Sequence, residues 1–127
     1  MKVRIDEKSL RCGLTEKDVQ LLITDGTLTN VVPFPNGRSL YYIINTHTGG
    51  EMFTTLQIDG IRLFVPATQC VTWAHSDEIS MYSQNPLPKG GNLELIIEKN
   101  LPCFHKQTGK SQTDLAANPN QKRDSNV

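Results

Sequence analysis

Cys103 and His105 stand two residues apart, just past the last strongly apolar stretch of the chain. A thiolate and an imidazole so placed could both ligate zinc. A closed structural site needs four ligands, and the sequence has no CxxC or HxxxH pair to supply the rest. His47 and His75 fall in a predicted loop and at a predicted helix end, so Asp114 or Glu98 would have to complete the set in space. The plainer expectation is a half-buried cysteine that anchors the end of the chain, with a surface histidine beside it. Zinc or another divalent metal is therefore the lesser reading, and the sequence leaves the cofactor, or its absence, open. Nucleophilic catalysis has less support still. Both side chains lie on one extended segment, whereas a general base normally approaches its nucleophile from a separate element. There is no Gly-x-Ser-x-Gly elbow and no Gly-Lys-Ser or Gly-Lys-Thr phosphate loop.

The second constellation is charged. Arg4, Arg11 and Arg62 lie on the polar sides of alternating stretches, as do Glu94 and Glu98, with Lys99 following. If they met in one concave place, the guanidinium groups would grip a phosphate or another anion in bidentate fashion. The carboxylates would then hold a divalent cation, as in a small metal-dependent hydrolase or a phosphate-binding barrel. The competing expectation is cross-strand ion pairing on a solvated face, which contributes only about 0.2–1 kcal/mol per pair. Thirteen basic and thirteen acidic residues cancel overall, and that balance suits mutual pairing better than an open anion site.

Strands and short helices must position these residues. Val3 and Ile5, then Leu10, Cys12 and Leu14, alternate with polar neighbours across Asp6-Glu7-Lys8, which reads as a hairpin. Thr15 is a plausible N-cap with Asp18 at the third helical position. Val19, Leu22 and Ile23 follow at helical spacing, and Gly26 offers a left-handed stop, so a helix spans about 16–24. Residues 27–32 and 39–45 are strands around the Pro33-Phe34-Pro35-Asn36-Gly37 turn. Residues 52–58 and 61–65 form a second hairpin, with Asp59-Gly60 as its type I′ turn. Pro66 opens the first turn of a second helix whose inner face is Ala67, Cys70, Val71 and Ala74, with Trp73 beside it. Glu78 to Tyr82 is a strand, Asn85 to Gly91 a loop, and Leu93 to Lys99 the last strand.

Each half thus reads hairpin, helix, hairpin. Val3-Arg4-Ile5-Asp6 matches Leu56-Gln57-Ile58-Asp59 at an offset of 53, and Leu10-Arg11-Cys12 matches Ile61-Arg62-Leu63 at 51. Leu28 then falls over Ile79, and Leu40, Tyr42 and Ile44 over Leu93, Leu95 and Ile97. The fold class expected is α+β: a pseudo-two-fold duplication of a ββαββ unit. Its eight mostly antiparallel strands would make curved sheets or a barrel, with two short helices. One domain is expected over residues 1–105, with halves at about 1–45 and 54–99. The polar segment 106–127 lacks the apolar content to repay its ordering entropy and reads as a flexible tail.

Arg4-Ile5, Ser9-Leu10-Arg11, Leu14-Thr15 and Val19 resemble the N-terminal signature of a small uncharacterised bacterial protein family, a domain of unknown function. Ile97-Glu98-Lys99, Cys103 and a polar tail with Asp114 and Asn118-Pro119 resemble its C-terminal part. Val65-Pro66 and Trp73-Ala74 are similar as well. Gly13 stands where a second arginine is expected, and Asn100 where an aspartate is. Both departures weaken a charged site at those positions. The resemblance implies a fold and an intracellular bacterial setting, and it supplies no catalytic residue.

Composition narrows the remaining classes. Charge neutrality and the lack of an aromatic-basic platform disfavour nucleic acid. No apolar run approaches the ~18 residues of a membrane span, and the start has no secretory core. Three cysteines at 12, 70 and 103 are an odd number and argue against a disulfide framework. Cys12 and Cys70 read as small core residues. The expectation is a non-enzymatic cytoplasmic binding or interaction module, monomer or homodimer, whose partner is an unidentified small molecule or protein.

Overall fold

A computed structural model describes residues 1–100 of the chain. Its elements run β1 (Lys2–Ile5), β2 (Ser9–Leu14), α1 (Glu16–Asp25), β3 (Thr27–Pro33), β4 (Ser39–His47), β5 (Phe53–Gln57), β6 (Gly60–Pro66), α2 (Ala67–Ala74), β7 (Ser80–Pro86) and β8 (Asn92–Lys99). The four predicted hairpins and both helices are present. No described helix is long and apolar enough to cross a membrane.

The strands form two four-stranded sheets, ordered β1-β2-β8-β7 (sheet A) and β3-β4-β6-β5 (sheet B). Each hairpin is antiparallel, but the central pairs β2–β8 and β4–β6 are parallel. The strands are thus mostly antiparallel, as expected, with one parallel pair at the centre of each sheet. Alternation reports a hairpin, because its partner is next in sequence. It is silent about a neighbour brought from the other half by a helix that crosses between sheets.

The sheets do not close into a barrel. Where edges approach, side chains bridge them in place of a backbone ladder. Ser83 Oγ donates to Met52 O at 2.7 Å, and Thr54 N–H donates to Asn85 Oδ1 at 3.0 Å. At the other seam Asn30 Nδ2 donates to Met1 O at 3.4 Å. Between the sheets lies one apolar cluster. It joins Leu10, Cys12, Leu14, Leu95 and Ile97 of sheet A to Leu28, Ile44, Leu63 and Val65 of sheet B, with Val19, Leu22, Cys70 and Trp73 from the helices.

The two halves pair alike. Ser9↔Glu94 through Leu14↔Lys99 in sheet A correspond to Gly60↔Tyr41 through Val65↔Thr46 in sheet B. Hydrogen bonds correspond too. Glu94 N–H donates to Lys8 O and Tyr41 N–H to Asp59 O, at 2.9 and 2.8 Å. Lys99 N–H donates to Ile79 O and Thr46 N–H to Gly26 O, both at 2.9 Å. These pairings revise the alignment of the halves. Val3 corresponds to Thr54 rather than Leu56, and Leu28 to Met81 rather than Ile79. Leu28 and Met81 are 6% and 4% exposed, whereas Ile79 is 45% exposed. A slip of two residues returns every side chain to its own face, so polarity alone cannot detect it.

Local chemistry explains most boundaries. Thr15 and Asp18 form a capping box: Asp18 N–H donates to Thr15 Oγ1 and Thr15 N–H to the Asp18 carboxylate. Gly26, at φ +74°, ends the helix with its N–H on Leu22 O. Other boundaries move. Gln57 pairs with Gly60, so the hairpin turn is Ile58-Asp59. Pro66 stands at the N-cap of α2, ahead of its first turn, and Val71 faces solvent. β7 runs through Asn85 and Pro86, which were expected in a loop.

The capping box carries a pH dependence. Burial pushes the Asp18 carboxyl up, but the Met1 ammonium at 2.9 Å and the two Thr15 contacts outweigh it and hold the pKa below the ordinary value. A depressed folded pKa adds stability that is complete above the unfolded value of about 3.9. It is lost as pH falls through the folded value. Wild type should therefore exceed Asp18→Asn in stability at neutral pH, and the gap should close below about pH 4. Urea unfolding of both proteins across that range measures it; a gap that persists in acid contradicts this account.

Candidate functional site

On β2 buried Leu10, Cys12 and Leu14 alternate with Arg11; on β8 Leu95 and Ile97 point inward, and Glu94 and Glu98 share the other side with buried Ile96. Arg11, Glu94 and Glu98 therefore stand on the outer face of sheet A, and Arg4, directly opposite Arg11, stands with them. Arg11 Nη1 donates to Glu98 Oε1 at 2.8 Å, with the two side chains 45% and 28% exposed. Glu94 Oε2 accepts the Tyr82 hydroxyl at 3.1 Å. This is a solvated face of cross-strand pairs.

Arg62 is elsewhere. It lies on the outer face of sheet B, half-buried, and Nη1 donates to Asn45 Oδ1 at 2.6 Å. The five groups do not converge; they divide between the outer faces of the two sheets. Lys99 is buried. Its Nζ donates to Ser76 O at 2.7 Å and sits 5.3 Å from the Trp73 ring centroid, so it secures the chain just past α2.

Cys103, His105 and the 106–127 tail lie outside the described residues. Among those described, no three of His, Cys, Asp and Glu come together as metal ligands. His47 Nδ1 accepts the Gly49 N–H at 3.0 Å, leaving Nε2–H to donate to Glu51 O at 2.9 Å. Cys12 and Cys70 are buried free thiols, as expected. Burial pushes their pKa values up to about 12 and about 11, the wrong direction for a nucleophilic thiolate.

What the sequence did not disclose is a cleft of about 480 Å³ between α2 and the edge of sheet A. Thr68, Gln69, Thr72 and Trp73 form its helical wall; Ser80, Met81 and Tyr82 of β7 form the opposite one, with Gly49, Gly50 and Glu78 also lining it. The volume falls within the usual range for ligand sites, about 300–1,000 Å³. A second cleft, between the β3–β4 and β5–β6 turns and lined by Phe34, Arg38 and Asp59 among others, is about 220 Å³.

The strand wall has unused backbone. Among the described residues β7 is an edge strand, paired only with β8. Lys99 N–H donates to Ile79 O, and Leu87 N–H donates to Gly91 O, which fixes the odd-numbered positions of β7 as the hydrogen-bonded pairs. Antiparallel pairing alternates, so Ser80, Tyr82 and Gln84 turn their N–H and C=O groups away from β8. Ser80 and Tyr82 do so beside the cleft. A faint signal existed in the sequence: Thr68, Gln69 and Thr72 are polar positions on one helical face, and Pro86 marks a free edge.

A family model described as a family of unknown function (DUF7009) matches residues 1–120. No curated protein and no solved structure matches the chain.

Proposed function

The chain belongs to this family of unknown function, and from its own geometry we propose that it is a non-enzymatic binding module that takes an extended peptide in the α2–β7 cleft. The observation that carries the reading is the free edge of β7 at Ser80 and Tyr82, facing a helix across a ligand-sized groove. A peptide added there as a fifth strand would gain main-chain hydrogen bonds from the edge. Its alternate side chains would enter the groove against Thr68, Gln69 and Thr72. Among the described residues that line the groove Glu78 is the one charged side chain, which favours a peptide with a lysine or arginine near that end.

The matched registers and hydrogen bonds are those expected of an internal duplication. The copies have diverged at this site: α1 presents Lys17, Asp18 and Leu21 where α2 presents Thr68, Gln69 and Thr72. An anion or phosphate site built from Arg4, Arg11, Arg62, Glu94 and Glu98 is the weaker alternative, because those residues divide between two outer faces.

The test is a selection from a random peptide library against the full chain, repeated on Tyr82→Pro. Tyr82 N–H points away from β8, so proline there removes a donor for the incoming strand while keeping the ladder, as Pro86 already does. Selected peptides should bind wild type and lose about tenfold or more on the variant. Peptides that bind both proteins equally, or a library that yields none, would refute the proposal.

A further inference from the structure

Arg11 and Arg62 hold corresponding places in the two sheets, and each reaches one neighbour through Nη1. Arg11 meets the Glu98 carboxylate at 2.8 Å; Arg62 meets the Asn45 amide oxygen at 2.6 Å. Glu98 and Asn45 are counterparts as well, paired with Gly13 and Phe64 in the matched registers. One sheet therefore neutralises its arginine, and the other puts a neutral amide in the carboxylate's place. The strands of sheet B contain no Asp or Glu at all. Among the described residues Arg62 has no carboxylate within ion-pair distance. A half-buried guanidinium in that position keeps its charge and most of its five N–H donors.

Thr55 lies directly opposite Arg62 on β5, and an aromatic cluster shares the same face of the sheet. Phe53 and Phe64 stack at 4.7 Å between centroids, and the His47 ring meets them edge-on at 5.4 and 6.2 Å. Ile43 lies directly opposite Arg62 on β4, and Phe64 is two residues along its own strand. Phe53 is exposed enough to be touched from solution.

We propose that the outer face of sheet B binds an oxyanion carried on an apolar body, a carboxylate attached to an aromatic or aliphatic group. Arg62 anchors the anion, and Phe53 and Phe64 pack the body. This site is on the opposite sheet from the α2–β7 cleft and does not depend on it.

Phenylacetate, inorganic phosphate and phenethylammonium, titrated separately into the isotopically labelled full chain, provide the probes. Phenylacetate should shift the Arg62 side-chain, Asn45 and Phe64 resonances and leave Arg11 unmoved, with the other two probes far weaker. Asn45→Glu supplies internally the carboxylate that Glu98 supplies to Arg11, and should weaken phenylacetate by about tenfold or more. Arg62→Gln should do the same and decides the matter if Asn45→Glu does not fold; a thermal melt of each variant establishes that. Equal shifts at Arg11 and Arg62, no shift at Arg62, a response to phosphate or phenethylammonium as strong as to phenylacetate, or unchanged binding by the folded variants would each overturn the proposal.

Discussion

Gly60→Ala should cost about 3 kcal/mol or more, a large share of the 5–15 kcal/mol that holds a domain of this size together. Gly60 is the first residue of β6 and adopts φ +156°. A Cβ there would lie 1.8 Å from Tyr41 O, 2.7 Å from Tyr41 C and 2.8 Å from Tyr41 N. All three atoms are backbone, so no side chain can swing aside. Relief requires β4 and β6 to part at the start of their parallel pairing. That would also strain the bond from Tyr41 N–H to Asp59 O at 2.8 Å. Overpacking ordinarily costs about 1–3 kcal/mol because neighbours shift, and here the neighbour is a central strand.

The counterpart position sharpens the test. Ser9 pairs with Glu94 as Gly60 pairs with Tyr41, and it carries a side chain at the matched position. Ser9→Ala should stay within about 0.5 kcal/mol of wild type. Urea unfolding of both variants gives the comparison. A Gly60→Ala protein within about 1 kcal/mol of wild type would mean that the Ile58-Asp59 turn does not enter β6 as described.

The glycine also shows which parts of the fold were legible. Asp59-Gly60 between apolar runs announced a hairpin, and the hairpin is there. The positional reason for the glycine was not readable, because Tyr41 reaches it from another hairpin. The caps of α1 were readable for the opposite reason: Thr15, Asp18 and Gly26 act on their own helix. Alternation placed Arg11 and Arg62 outside the core correctly, yet could not say that they belong to different sheets. The groove beside β7 left almost no trace, since an unused backbone donor has no residue type of its own. Side-chain chemistry writes itself into sequence, and edges do not.

Ile44→Ala and Ile97→Ala should each cost about 2–5 kcal/mol, and each should still unfold the chain in one transition. Both residues are fully buried and occupy matched central positions, Ile44 between Leu28 and Leu63, Ile97 between Cys12 and Met81. The larger loss is expected at Ile44. Its neighbours are branched leucines that close a void poorly, whereas the unbranched Met81 can move into the space left at Ile97. The single transition follows from the strand order. Each half gives one hairpin to sheet A and one to sheet B, so neither half owns a sheet or a closed core. Damage in sheet B must therefore be felt at Trp73, which packs in the same cluster and whose Nε1 donates to Ile79 O beside β7. Trp73 fluorescence and far-UV circular dichroism should report coincident urea midpoints for both variants. Separate midpoints would show that the sheets melt independently, and the exchange of hairpins between halves would then not be what binds them into one cooperative unit.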